Sequence, residues 1–279
     1  MTLRQWYTAT WRWTILLILI VLTLFPIWLM VVTSVKDNVQ FYGDFLGITL
    51  PFRWENYTAA WGEISPYFVN SVIVTSVSVV GVVVISTLAA YAFARLEFVG
   101  REILYYMIIA LIMLPGILTM VPQFVLIKNF NLLDSLWALI LPFISGGVAS
   151  GGVAFAIFVL RSFFHSIPDE LFQAARIDGA SELQVFWHLG IPLIRPAIAT
   201  VAILQILSTW NDYIWTSATL FTSSNYTLPI GLVSFQGNHT TDWGPLMAGY
   251  TLASLPLVLL FALTTRTFIE GLTQGGLKL

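Results

Sequence analysis

Between Gln205 and Tyr213 the chain brings two amides, two hydroxyls, an indole, a carboxylate and a phenol into an otherwise apolar run. Amides and carboxylates hold sugars by hydrogen bonds while aromatic rings stack on their apolar faces. Gln205, Ser208, Trp210, Asn211, Asp212 and Tyr213 are therefore candidate contacts along a path for a sugar-like solute. A gate, packing against a neighbouring helix or, for Asp212, a place at the outer interface are the alternative uses of the same groups. Other chemistry is sparse. Cysteine is absent, which excludes disulfides, thiolate metal sites and cysteine nucleophiles. His165, His188 and His239 lie far apart without metal-ligand spacing, so no metal is expected. Neither a pair of facing carboxylates nor a histidine cluster suggests an enzyme, and no phosphate-binding glycine loop ending in Lys-Ser or Lys-Thr is found. The chain itself is expected to catalyse nothing and to bind no cofactor.

A second polar region, residues 166–198, reads SIPDELFQAARIDGASELQVFWHLGIPLIRPAI and has clear helical design. Ser166 is expected to cap a helix with Asp169 three residues on, Pro168 suits its first turn, and Asp169 and Glu170 complement the helix dipole. Leu171, Ala174, Ala175 and Asp178 then share one face with two small alanines at its middle, and Gly179 permits a turn. Ser181 is expected to cap a second short helix running through Leu183, Phe186, Trp187 and Leu189 to a break at Gly190 and Pro192. The expectation is a rigid knob rather than a loose linker. An amphipathic helix pair on lipid headgroups, which Phe186 and Trp187 would suit, is the competing reading.

The elements that must position these groups are membrane helices. Of the 279 residues 58% are hydrophobic and only 9% charged, against about a quarter charged in a soluble domain. Mean hydropathy is +0.85. Six apolar stretches, about 13–33, 69–94, 103–126, 136–160, 196–219 and 245–268, are long enough to cross lipid as helices, and none shows the alternation of a β-barrel strand. The expected fold is an all-α membrane protein of six transmembrane helices in a single domain, 1–279, with the inner loop 161–195 between spans four and five. The first stretch reads as an uncleaved signal anchor. With the N-terminus inside, nine of the twelve basic residues fall in inner segments, Lys36, Arg53 and Lys128 being the exceptions, so both termini are expected in the cytoplasm. The net charge of −2 argues against a nucleic-acid partner. Two outer segments, about 34–68 and 220–244, carry Trp54, Tyr57, Trp61, Tyr226 and Trp243, which suit an interface belt or a docking surface for an external protein. Ser71, Thr75, Ser76 and Ser78 are expected to bond across helices, and Gly147 with Gly151 to mark a close helix contact.

The run QAARIDGA, followed by Phe186 and IPLIRP, resembles the EAA loop of ABC importer permeases, written E-A-A-x-x-x-G with a distal proline. Ala174, Ala175, Asp178, Gly179 and Pro192 fall on that pattern. Gln173 stands where the family usually has Glu, which keeps the shape and loses the charge. Asn70 and Ser71, the stretch from Tyr91 to Phe98, Leu114 with Pro115, Trp210-Asn211-Asp212, and the tail from Phe268 to Lys278 resemble the second permease of the maltose-type carbohydrate importers. The resemblance implies a heterodimer with another permease, two cytoplasmic ATPase subunits that hold ATP and Mg, and an extracytoplasmic sugar-binding protein, all at a prokaryotic cytoplasmic (inner) membrane. It further implies that Gln173, Ala174, Ala175, Asp178, Gly179 and Pro192 couple the chain to the ATPase. A permease for another solute such as glycerol phosphate is the near alternative. A secondary transporter is the distant one, with Asp212 as its sole candidate ion-coupling carboxylate.

Overall fold

The computed structural model describes residues 3–146, 152–233 and 241–276, and side chains within 11–146, 152–233 and 241–265. The described regular structure is helical. The pair Gly147 and Gly151, His239, and the side chains of the tail beyond Thr265 lie outside the described residues.

The chain divides into two compact units, residues 1–65 with 231–255, and residues 66–230 with 256–279. In the first, α1 (Leu3–Ser34) presents Leu16, Leu17, Ile20, Val21, Leu24 and Ile27 outward on every side. A helix apolar all round suits lipid. The outer segment after it is folded. Asp37 and Gln40 form a reciprocal capping box at the start of α2 (Asn38–Gly43), and Arg53 pairs with Asp37 at 3.0 Å. Lys36 is fully buried, its ammonium donating to the carbonyls of Asp44 at 2.6 Å and Phe45 at 3.3 Å, which offsets the desolvation a buried cation must bear. Asn56 donates to the carbonyls of Ser34 and Lys36, and Trp243 stacks on Phe41 with ring centres 5.1 Å apart.

Helix α3 (Glu55–Arg95) begins well before the expected 69, so the stretch 55–68 is helix, not loop. The other differences from expectation are breaks. The third apolar stretch is two helices, α4 (Arg101–Ile112) and α5 (Gly116–Asn129), bent by 100°. Pro115 lacks a backbone N–H and keeps Leu114 from helical geometry, so the helix cannot run through. The fourth is α6 (Trp137–Ser145), closed by Gly146 at φ +83°, and α7 (Gly152–Ser166). The fifth is α11 (Arg195–Trp210) and α12 (Ile214–Thr219). Among the described residues three helices are each long and apolar enough to span a membrane, and up to five spans result if the two bent pairs, Arg101–Ile112 with Gly116–Asn129 and Glu182–Leu193 with Arg195–Trp210, each count as one. The remaining described helices are α8 (Asp169–Ile177), α9 (Glu182–Val185), a π-helical turn Phe186–Gly190, α10 (Ile191–Leu193), a 3-10 turn Ser223–Asn225, α13 (Leu228–Val233) and α14 (Trp243–Gly276).

Two clusters build the core of the second unit. One gathers Tyr91, Leu160, Phe164, Phe172, Val185, Phe186 and Ile194 where α3, α7, α8 and the π turn meet. The other gathers Val74, Ile127, Leu139, Phe143 and Leu220 around the fully buried Trp215, whose indole N–H donates to the Ala138 carbonyl at 3.0 Å. Arg161 of α7 reaches Glu102 of α4 at 2.7 Å while its guanidinium lies 3.6 Å from the centre of the Tyr105 ring.

Candidate functional site

Helix α8 starts differently from its expected cap. Ser166 ends α7 and donates to the Phe163 carbonyl, while Pro168 occupies the cap position without a side-chain bond. Its inward face is Phe172, buried in the aromatic cluster, with Ala175 half-buried beside it. Leu171, Gln173, Ala174 and Asp178 face outward, as does Ile177, which is 85% exposed. The expected small-residue face is thus an exposed surface with Ala175 at its edge. Asp178 closes the helix and Gly179 turns the chain at φ +83°, a left-handed conformation that costs a residue with a Cβ about 1–2 kcal/mol. Ser181 and Gln184 then form the reciprocal capping box of α9. The helical path continues through the π turn and α10, so Gly190 and the half-buried Pro192 do not break it. The break falls at Ile194, where a 75° bend leads into α11. Gly190 packs closely, since a Cβ there would lie 3.2 Å from Phe164.

The outward surface is held from behind by charge. Arg176 of α8 pairs with Glu182 of α9 at 2.7 Å, and Glu182 also accepts a hydrogen bond from the Tyr91 hydroxyl at 2.9 Å. That carboxylate raises the Arg176 pKa above its ordinary value.

Of the expected solute-path residues, Gln205 and Ser208 come together. They line a cavity of about 500 Å³ between α7 and α11, with Gly152, Phe155, Val201 and Leu204 supplying apolar walls. The rest of the polar run serves local structure. The Asn211 amide donates to the Leu207 carbonyl of its own helix at 2.8 Å, and Asp212 accepts from the backbone N–H and hydroxyl of Thr216 at the start of α12. Trp210 is buried edge-on to Phe68, and Tyr213 is exposed. These groups sit where α11 ends, and freed backbone groups there need partners. Ser71 accepts the N–H of Leu228, whereas the buried hydroxyls of Thr75 and Ser78 have no hydrogen-bond partner among the described residues.

Sequence reading missed a further constellation. Asp134, at φ +57°, accepts from the backbone N–H groups of Phe221 and Thr222, both at 2.9 Å, and from the Thr222 hydroxyl. Thr222 foremost and then Phe221 hold its carboxyl at about 2, below the ordinary 3.8. Asn70 donates to the carbonyls of Ser224 and Tyr226 at 2.8 and 2.9 Å, so the 220–228 segment is pinned from two sides. Asn131 and Asp134, both turn-forming types in a short polar stretch, were the available signal.

The family model described as "Binding-protein-dependent transport system inner membrane component" matches residues 81–273, which take in the α8–α9 loop and both walls of the cavity. The chain belongs to this family. It is a permease component of the inner membrane by membership, and two relatives match along nearly their whole length. The probable ABC transporter permease protein YurM of Bacillus subtilis is 34% identical over 99% of this chain and 91% of its own. The arabinooligosaccharides transport system permease protein AraQ of Halalkalibacterium halodurans is 32% identical over 92% of each chain. Among solved structures, a chain of a bacterial ABC transporter involved in the import of the acidic polysaccharide alginate shares the fold. Its TM-score is 0.84 at 21% sequence identity, over 96% of this chain and 99% of that one.

Proposed function

We propose that the chain is one of two different permeases of an ATP-driven importer, and that the pair forms the path for a sugar or oligosaccharide handed over by an extracytoplasmic binding protein. The observation that carries the reading is family membership over residues 81–273, with AraQ as a relative matched across 92% of both chains. In this reading six crossings place both termini in the cytoplasm, and the broken helices count as bent spans. Two separate ATPase subunits bind ATP and Mg and hydrolyse the nucleotide. Gln173, Ala174, Ala175, Asp178, Gly179 and Pro192 belong to the loop that docks on them. The exposure of Ala174, Ile177 and Asp178 on a firmly backed helix supports that use, because a docking surface must be open on one side and rigid on the other. Gln205 and Ser208 are polar groups facing a cavity within an apolar segment, which supports their place on the solute path. Trp210, Asn211, Asp212 and Tyr213 act at the outer end of that path, as structure for the break between α11 and α12.

The test is coexpression with the neighbouring genes, purification in mild detergent, and measurement of ATP hydrolysis with loaded binding protein. Copurifying ATPases stimulated by an oligosaccharide-loaded binding protein support the reading. Stimulation by glycerol phosphate alone would reassign the solute, and uptake driven by an ion gradient without any ATPase would overturn it.

A further inference from the structure

The α8–α9 loop is covalently continuous with α7 and, through α10, with α11, so a push on it has two obvious routes into the membrane. The side chains supply a third. Arg95, in the last turn of α3, is only 6% exposed at its side chain. Its guanidinium pairs with the Asp169 carboxylate in the first turn of α8 and donates to the carbonyls of Phe164 and Ile167, the latter at 2.6 Å. The same group lies 4.0 Å from the centre of the Phe172 ring. One turn earlier on the same helix, Tyr91 reaches the next part of the loop. Its hydroxyl donates to Glu182 at 2.9 Å, and Glu182 joins α9 to Arg176 of α8. Its ring meets Phe164 and Phe186 edge-on, with centres 5.4 and 5.1 Å away. The end of α3 therefore grips the end of α7, the start of α8, the start of α9 and the π turn at once.

We infer that the cytoplasmic end of α3 is the element that receives movement of the docking loop, and that Arg95 and Tyr91 are the positioning residues that transmit it. The inference rests on the proposed role of the loop as the ATPase dock. The physical reason is stiffness. A planar guanidinium held by a carboxylate, two carbonyls and a ring face resists displacement along several directions at once, and a buried cation cannot let go of its partners without desolvation cost. Displacement of α8 must then carry α3 with it, and α3 is the longest apolar helix among the described residues.

Two conservative variants separate transmission from mere support. Arg95→Lys keeps the charge and loses the planar fork, and Tyr91→Phe keeps the ring and loses the hydroxyl. The complete complex, with binding protein and ATPases, is placed in proteoliposomes, and solute accumulated per ATP hydrolysed is measured. The expected result is copurification with the ATPases but a ratio lowered by about tenfold. A residue whose variant keeps the parental ratio, even with lower yield or with uptake and hydrolysis falling in parallel, is structural, and the assignment fails for it. If Arg95→Lys does not assemble, Tyr91→Phe decides the inference alone. A parental complex that shows no ATP-driven uptake would instead overturn the proposed function, which the ratio in the variants does not touch.

Discussion

Asp134 shows how much one side chain can organise in a backbone conformation that few residues adopt. Its positive φ aims the carboxylate at two backbone N–H groups and a hydroxyl of the 220–228 segment. Because its folded pKa of about 2 lies below the ordinary 3.8, the ionised form is favoured by folding. The sign follows: the contribution is complete above the unfolded value and is lost as pH falls from about 4 toward 2. Melting in detergent should show wild type losing more stability across that window than Asp134→Ala, and parallel curves would refute the assignment. Gly179 is a second such position. Nothing lies within 4 Å of a Cβ built there, so Gly179→Ala should cost about 1 kcal/mol through backbone strain alone, and Gly179→Asn less. Thermal unfolding of the two variants checks the order. The glycine turn was legible in the sequence because the requirement is local. Asp134 was not, because its partners are 87 and 88 residues away.

At the scale of the element, apolarity announced that segments enter the membrane but said little about their continuity. The Ser181 cap and the inner loop as a helix pair were readable from residues three apart. Pro115 allowed a turn without fixing its angle, the bend at Ile194 lies in a run whose composition is the same whether straight or broken, and the early start of α3 lies in the mixed stretch 55–68, where apolarity gives no signal. Spacing at i, i+3 and i+4 picked out the exposed face of α8 and overlooked the inward Phe172, a lone aromatic with no periodic partner of its own size. Its burial now gives a prediction. Phe172→Ala should destabilise by about 3 to 5 kcal/mol and lower the yield of folded protein, as size-exclusion chromatography would reveal. Ala174→Glu, on the exposed face, should leave the folded yield unchanged and abolish ATPase copurification, so retained copurification would remove α8 from the docking surface.

For the whole molecule, the absence of cysteine offers a clean way to read orientation. In the proposed arrangement one crossing, built from α11 and α12, separates Ile177 from Phe221, both exposed. Ile177→Cys should react with an impermeant thiol reagent only from the cytoplasmic side and Phe221→Cys only from outside. Labelling of both from one side would sink the six-crossing arrangement. The family was readable from the loop motif and scattered short runs. The roles of Arg95 and Tyr91 were hidden, because a motif marks residues without naming what they touch. The grip of Arg95 also sets a timetable for synthesis. Its partners Phe164, Ile167 and Asp169 lie 69, 72 and 74 positions downstream. At ribosomal speed they follow roughly 4 to 15 seconds later. During that interval α3 is already made while its terminal guanidinium can be satisfied only by water and lipid headgroups. In the proposed arrangement the nascent chain must therefore hold this helix end at the cytoplasmic surface until the end of α7 and the start of α8 arrive to take up its guanidinium.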